Sequence, residues 1–234
     1  MKKTGLVLLI IVLVIGGLLY YLWHQATLLP EWYKPGAGDP GDGTVIMYGK
    51  GAEAIKKSLE RHIEGQIRKA PTRTSHIEVE LSENDANKLL ASIILENASI
   101  YHYLKAIKAS KTRIRNGDLD FGVVLDASQI LKDASEHGVE GAVPELKHLS
   151  RWLKGRKISL GFTGKCGLKD GRFEVDENGY IRIGALTFSL KTISKRLGVS
   201  EDRLKRTVED LKVGELKIDS IEAIRNKLLL KGSR

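Results

Sequence analysis

The stretch KTRIRNGDLDFGVVLD, residues 111–126, decides the fold that the sequence predicts. Two runs of alternating apolar and polar residues flank Asn116 and Gly117. An Asn-Gly pair between such runs is the strongest short-range signal for a β-hairpin with a two-residue turn. The pairs that this turn sets opposite each other are Arg115 with Asp118, Ile114 with Leu119 and Arg113 with Asp120.

This register gives the hairpin one charged face and one apolar face. Successive side chains of a strand point to opposite sides, so the arginine and aspartate pairs share the solvated side. The apolar side would carry Thr112, Ile114, Leu119, Phe121, Val123 and Leu125. The sequence therefore predicts an antiparallel sheet with one dry side that needs a cover.

A second hairpin is predicted in KCGLKDGRFEVDENGYIRIG, residues 165–184. A turn at Asp170 and Gly171 sets Leu168 opposite Phe173 and Cys166 opposite Val175. Two loops are open for the next turn. A two-residue loop mixes the faces, whereas a bulged loop at 177–179 gives a three-stranded meander with Val175 opposite Ile181 and Phe173 opposite Ile183. With Ile158, Leu160 and Phe162 on the same side, the two hairpins would extend one curved sheet.

Helices are predicted around this sheet, giving an α+β fold. Apolar residues at helical spacing indicate a helix over 52–69, and Ser82 is a good N-cap for a second helix, with Asp85 three residues on. Ile77, Val79 and Leu81 alternate with glutamates and predict a half-exposed strand between them. Residues 128–154 read as mostly helical, and further helices and one or two strands are predicted towards the carboxyl terminus.

The amino terminus predicts a membrane anchor. Lys2 and Lys3 precede an uncharged run, residues 5–23, that is long enough as a helix to cross a bilayer, and an aromatic belt at its far end consists of Tyr20, Tyr21 and Trp23. A cleaved signal peptide is the alternative, although the run lacks a small-residue cleavage site. The predicted organisation is a transmembrane anchor at 1–23 with a cytoplasmic amino terminus, a flexible Pro/Gly-rich tether at 24–51 and an extracytoplasmic domain at 52–234.

Composition and motifs bear on the class of partner. The formal net charge of +9 suits an acidic partner, and the predicted location outside the cytoplasm favours a lipid surface over nucleic acid. Cys166 is the only cysteine, and the six histidines are scattered without metal-ligand spacing. Motifs for nucleophilic catalysis, phosphate loops and dinucleotide binding are missing from the sequence. We therefore expect no metal, no cofactor and no enzymatic activity.

The order of parts resembles that of extracytoplasmic bacterial proteins with a tubular lipid-binding (TULIP-like) or related curved-sheet domain. The resemblance covers roughly residues 75–225 and rests on SENDANKLLAS, on the NGDLDF and KDGRFEV turns, and on GYIRIGALTFSL leading into a helix. It implies a long, strongly curved sheet that wraps a helix and leaves an apolar groove for acyl chains. It implies no catalytic residues.

These observations lead to two hypotheses of function. The first is non-enzymatic binding of a phospholipid or other lipid-linked molecule at the extracytoplasmic face, with Lys111, Arg113 and Arg115 at the headgroup. The acyl chains would contact Leu119, Phe121, Val123, Phe162, Phe173, Ile181 and Ile183. The alternative is an anchored protein-interaction module of an envelope complex, with a fully packed core.

Overall fold

A computed structural model describes residues 2–34, 50–68, 77–96, 106–136, 155–169, 172–176, 178–192, 212–213 and 216–233. The chain is an α+β protein with two antiparallel sheets and four helices in these residues. The helices are α1 Lys2–Ala26, α2 Lys50–Ile67, α3 Glu83–Glu96 and α4 Ala127–Glu136. The predicted tether beyond residue 34 and the predicted helices at 137–154 and 193–211 lie outside the described residues.

The strands fall into two groups along the chain. The first seven are β1 Ile77–Leu81, β2 Ile107–Arg115, β3 Asp118–Asp126, β4 Lys157–Gly164, β5 Cys166–Lys169, β6 Arg172–Val175 and β7 Tyr180–Ile183. The others are β8 Leu186–Ser189, β9 Lys212–Val213, β10 Leu216–Ile224 and β11 Lys227–Ser233. Sheet A has the order β1-β11-β10-β5-β6, with β9 also paired to β10, and sheet B has the order β2-β3-β4-β7-β8.

The first hairpin is confirmed in every predicted pair. Strands β2 and β3 place Arg115 opposite Asp118, Ile114 opposite Leu119 and Arg113 opposite Asp120. Asn116 and Gly117 both have positive φ, as a turn of this type requires. The second hairpin also has its predicted register, with Leu168 opposite Phe173 and Cys166 opposite Val175.

The predicted single sheet and three-stranded meander are wrong. Strand β7 does not continue from β6 but pairs with β4, so that Ile181 lies opposite Phe162 and Ile183 opposite Leu160. The two hairpins belong to different sheets because the chain turns a corner between β4 and β5 at Gly164. A methyl group there would lie 2.8 Å from Cα of Gly179, so only glycine permits this close crossing. The alternation of apolar and polar residues in β7 is compatible with pairing to β6 or to β4. Because β5 and β6 lie beyond the corner, in sheet A, β7 pairs with β4.

Both sheets contribute to one packed core beneath α2 and α3. The predicted apolar face of the helix at 52–69, which corresponds to α2, is confirmed, since Leu59, Ile63 and Ile67 are buried. Around them lie Val79, Leu81, Leu89, Ile114, Leu119, Leu168, Leu216, Leu228 and Leu230. The side of sheet B that faces this core is called the inner face below, and the opposite side the outer face.

Helix α1 ends in a hydrogen-bonded turn that leads towards sheet B. The amide of Thr27 donates to the carbonyl of Trp23 at 3.1 Å, and the hydroxyl of Thr27 donates to the same oxygen. Within the part of the chain that the structure describes, no helix is both long enough and apolar enough to span a bilayer.

Candidate ligand-binding cleft

The segment that follows α1, residues 27–33, contacts the outer face of sheet B and is called the strap. The backbone amide of Ala185, in the β7–β8 turn, donates to the carbonyl of Gln25 at 2.9 Å and fixes the end of α1. Farther along, the ammonium of Lys157 lies 5.2 Å from the ring centroid of Tyr33. These contacts anchor both ends of the strap. The sequence predicted a flexible tether here and did not foresee this docking.

Glycines on the outer face make room for the strap. A methyl group at Gly122 in β3 would lie 3.2 Å from Cζ2 of Trp32, so the indole rests directly on the backbone of that strand. Gly161 lies opposite Gly122 on β4, and Arg182 lies opposite Gly161 on β7. Two adjacent strands therefore present bare backbone where other residues would place side chains.

A cleft of about 410 Å³ lies between the strap and this glycine floor. The strap contributes Leu28, Leu29, Pro30, Glu31 and Trp32, and the sheet contributes Lys111, Arg113, Asp120, Gly122, Ser159, Leu160, Gly161, Arg182, Gly184 and Ala185. One wall is therefore mainly apolar and the opposite wall is charged. Concave sites that combine apolar side chains with a few placed polar groups are typical of small-molecule binding.

Ion pairing divides the cations of the charged wall into two kinds. The guanidinium Nη2 of Arg182 donates to Oδ1 of Asp120, and the hydroxyl of Thr163 donates to the same oxygen at 3.2 Å. Arg113 lies directly opposite Asp120 in the register but makes no hydrogen bond or ion pair with any described residue. Arg182 is thus committed to a carboxylate, whereas Arg113 offers its donors to the cleft.

The predicted headgroup residues are only partly brought together. Lys111 and Arg113 line the cleft on adjacent outward positions of β2. Arg115, the third predicted residue, is exposed beside the hairpin turn and does not line the cleft. It nevertheless points to the same face of the same strand as Arg113, which makes it a matched control for that residue.

The predicted lipid-facing residues lie elsewhere. Leu119 is buried in the core, and Phe121 and Val123 pack against buried clusters from the inner face of sheet B. Phe162, Ile181 and Ile183 are half-buried on that same inner face. Phe173 belongs to β6 in sheet A. Sheet B therefore separates the predicted apolar residues from Lys111 and Arg113, and a single small ligand cannot lie against both groups.

Sequence reasoning missed Arg182, Ser159 and the strap. Arg182 sits on a strand that was assigned to the wrong neighbour, and Ser159 was not considered. A usable signal existed, because Gly122 and Gly161 interrupt the polar side of two alternating strands. Glycine inside a strand marks a site where another part of the molecule approaches the backbone closely.

A second charged cluster caps α3 on the opposite side of sheet B. The amide of Asp85 donates to the Ser82 hydroxyl at 3.2 Å, and that hydroxyl donates to Oδ2 of Asp85 at 2.6 Å, which confirms Ser82 as the N-cap. Burial raises the pKa of Asp85, but hydrogen bonds from Ser82 and Lys88 and the charges of His62 and Lys88 outweigh it. The net result is a pKa below the ordinary 3.8. The cluster stabilises a helix end and has no access to the cleft.

Comparison with known proteins gives no assignment. No family model, no curated protein and no solved structure matches the chain. Among the residues that the structure describes, no three His, Cys, Asp or Glu side chains are grouped as metal ligands. The geometry of the cleft and the amino-acid sequence therefore carry the functional argument.

Proposed function

We propose that this chain is a membrane-associated protein that binds a lipid or lipid-linked molecule without catalysis, in the cleft between the strap and sheet B. The observation that carries the proposal is that an apolar wall and a charged wall face each other across one cavity of about 410 Å³. Leu28, Leu29 and Trp32 form an apolar wall, and Lys111 and Arg113 stand on the wall that faces it. A lipid presents an apolar chain and a polar headgroup side by side in the same way.

The cleft suits acyl chains better than the inner face does. Leu119 and Ile114 on the inner face are 5% and 0% exposed and already pack against helices. A ligand there would have to displace the core, at a cost comparable to that of large core substitutions. The strap wall, in contrast, lines open space. The proposal therefore moves the expected acyl site from one face of sheet B to the other.

The position of the cleft beside α1 supports a membrane location. Ten residues of α1, Leu13 to Leu22, carry no charge, and eight of them are large apolar side chains with high exposure. Exposed apolar surface of this extent indicates contact with lipid or with another protein. The strap continues directly from this helix, so a lipid leaving the bilayer along α1 would reach the cleft first. We extend the proposal to a domain at 52–234 that lies on the extracytoplasmic side of a bacterial membrane.

Photocrosslinking of lipid to the full-length chain tests this proposal. The protein is reconstituted with phospholipid that carries a diazirine in its acyl chain, irradiated and digested, and the adducts are located by peptide mass spectrometry. We expect adducts on residues 28–32 and on β4 around Ser159. Adducts confined to α1, or found only on inner-face residues such as Ile183, would contradict a lipid site in the cleft.

Two neighbouring aromatic residues supply a matched pair for the same experiment. Trp32 lines the cleft and rests on Gly122, whereas Tyr33 lies against Lys157 and does not line it. Trp32→Ala removes the roof of the cleft and should lower the yield of adducts on β4 severalfold. Tyr33→Ala removes a similar aromatic surface but leaves Trp32 on Gly122 and the bond to the Gln25 carbonyl in place, so it should lower the yield less than Trp32→Ala does.

A second candidate function is the interaction module with a packed core, favoured by the coverage of β2 and β3 by α2 and α3. Tyr180 and Phe188, 49% and 37% exposed on the last two strands of sheet B, are the contact residues that it suggests. Under this function, site-specific crosslinkers at these two positions would join the chain to one defined protein. No lipid adducts would then form in the cleft of wild type, of Trp32→Ala or of Tyr33→Ala.

A further inference from the structure

The floor of the cleft contains a buried hydroxyl without a protein partner. Ser159 is only 8% exposed, lines the cleft and belongs to the outward positions of β4 together with Gly161 and Thr163. Its side chain makes no hydrogen bond with any residue that the structure describes. Because most buried polar side chains in native proteins have a hydrogen-bond partner, either protein or ordered water, this hydroxyl points to a polar group that enters the cleft.

The cations of the cleft point to the charge of that group. The guanidinium of Arg113 has no partner among the described residues, and the ammonium of Lys111 lies at the next outward position of the same strand. One row of cross-strand neighbours runs over β2, β3, β4 and β7 and consists of Lys111, Gly122, Gly161 and Arg182. Three strand spacings place Arg182 about 14 Å from Lys111. An anionic group above the glycine floor would therefore lie beside Lys111 and Arg113, with the guanidinium of Arg182 at the far end paired to Asp120.

Two carboxylates limit how much negative charge the cleft accepts. Asp120 neutralises Arg182, and Glu31 stands on the strap wall. Three cations therefore face two carboxylates in the lining. A phosphate diester carries one negative charge, whereas a monoester carries between one and two near neutral pH, so the small positive balance fits the diester better.

We propose that the cleft recognises an anionic phosphodiester headgroup, with Arg113 donating to two phosphate oxygens and the Ser159 hydroxyl donating to one of them. This inference rests on the proposed function and names the class of lipid that the site selects. Guanidinium groups pair with phosphate through two parallel hydrogen bonds, which gives such contacts direction as well as strength. Apolar chains then extend from the phosphate towards Leu28 and Leu29.

Competition between two headgroups on identical chains tests the selection. The full-length chain in non-ionic detergent receives equal amounts of phosphatidylglycerol and of a neutral glucosyl diacylglycerol with the same acyl chains, and native mass spectrometry identifies the bound class. Both lipids share the diacylglycerol part, but only phosphatidylglycerol has a phosphodiester. We expect wild type to prefer phosphatidylglycerol by about tenfold. This ratio corresponds to the free energy of about one charge-assisted hydrogen bond.

Three single substitutions locate this preference in the cleft. Arg113→Gln and Ser159→Ala should each bring the ratio of bound lipids close to one, and Arg115→Gln should leave it unchanged because that side chain lies outside the cleft. Thermal unfolding by circular dichroism establishes that each variant is folded. Should Arg113→Gln prove unstable, Arg113→Lys keeps the charge but loses the two-point contact, and an intermediate ratio is expected.

The outcomes separate this inference from the function on which it rests. Absence of any lipid adduct overturns the proposed function itself. Adducts of both lipids in equal amounts in wild type, or a preference that survives both cleft substitutions, overturn only the selection by Arg113 and Ser159. Displacement of phosphatidylglycerol by millimolar inorganic phosphate would assign the same donors to free phosphate and overturn a lipid as their ligand.

Discussion

Arg182 on β7 reaches across β4 and donates to the carboxylate of Asp120 on β3. The two residues are not register partners. Arg182 lies opposite Gly161 and Asp120 lies opposite Thr163, so the arginine side chain must run diagonally over the backbone of Gly161. This path exists only because position 161 lacks a side chain. A glycine in the middle strand therefore sets the charge distribution of the cleft.

Gly161→Ala should break this ion pair. The added methyl group would lie 3.0 Å from Nε of Arg182 and 3.2 Å from the carbonyl oxygen of Phe121, so the guanidinium must move away. We expect the free energy of unfolding to fall by about 1–3 kcal/mol, as for other overpacking substitutions. Chemical unfolding of the full-length chain followed by circular dichroism measures this change.

A double-mutant cycle isolates the ion pair from the steric effect. Asp120→Asn in the wild-type background should cost up to about 1 kcal/mol, since both side chains are about one-third exposed. In the G161A background, Asp120→Asn should not lower the free energy of unfolding any further. An undiminished cost there would show that the arginine keeps its partner despite the methyl group.

Gly65→Ala is the matched control for adding a methyl group at glycine. Gly65 lies inside α2, and a methyl group there meets no atom within 4 Å. Alanine loses less backbone entropy on folding than glycine, so this variant should be more stable than wild type by about 0.5–1 kcal/mol. Both substitutions bring this entropic gain, and only at position 161 is it exceeded by a steric cost.

Gly184→Ala should release the end of α1 from sheet B. Gly184 has a φ of +60°, and a methyl group there would lie 2.3 Å from the carbonyl oxygen of Gln25 and 2.5 Å from that of Ala26. Neither oxygen can give way without moving the helix end. We expect protease cleavage in the strap to become several times faster while the thermal unfolding of the remaining domain changes little. Unchanged cleavage would contradict a strap held at this turn.

Asp85→Asn should destabilise the chain in a pH-dependent way. The pKa of Asp85 is lowered in the folded state, because bonds from Ser82 and Lys88 and the charge of His62 outweigh its desolvation. The stabilisation is therefore complete above the ordinary value of 3.8 and is lost as the pH falls through the lower folded-state pKa. The variant should be about 1 kcal/mol less stable than wild type at neutral pH.

The difference between the two proteins should shrink as the pH falls below 3.8 and vanish once the pH lies below the folded-state pKa of Asp85, as wild-type Asp85 takes up its proton. Urea unfolding at a series of pH values measures it. Glu78→Gln, on the exposed side of β1, is the matched carboxyl-to-amide substitution outside this cluster. A difference for Asp85→Asn that stays constant with pH would assign its effect to shape and not to charge.

Local rules predicted the hairpins but not their partners. The Asn116–Gly117 turn and the alternation around it contain all the information that β2 and β3 need, and every predicted pair is present. The partner of β7 depends on a close crossing between Gly164 and Gly179, which no alternation rule detects. The same limit applies to the cleft. Lys111 and Arg113 were predicted from the hairpin, whereas Ser159 and Arg182 join them only through pairings between distant strands.

The buried polar network around Asn87 was also invisible to the sequence pattern. Thr112 was predicted on the dry face, and it does point there, but its hydroxyl donates to Oδ1 of Asn87 at 3.2 Å. The hydroxyl of Ser110 donates to the same oxygen at 2.9 Å, and the Asn87 amide donates to the Ser110 carbonyl at 3.4 Å. Helix α3 is therefore attached to β2 by this buried polar network, in addition to the bond that the Ile114 amide donates to Oε1 of Glu83 at 2.8 Å.

Asn87→Ala should be strongly destabilising because it leaves two buried hydroxyls without their acceptor. Ser110 and Thr112 are 0% and 3% exposed, so water cannot replace the lost partner. We expect the free energy of unfolding to fall by about 2–4 kcal/mol, the penalty for two unsatisfied groups. Ser92→Ala on the same helix is the control. Ser92 is equally buried but donates to the Lys88 carbonyl, which is an acceptor within its own helix, so its loss should cost less than about 1 kcal/mol. Equal costs for the two variants would mean that helix packing, and not the polar network, joins α3 to sheet B.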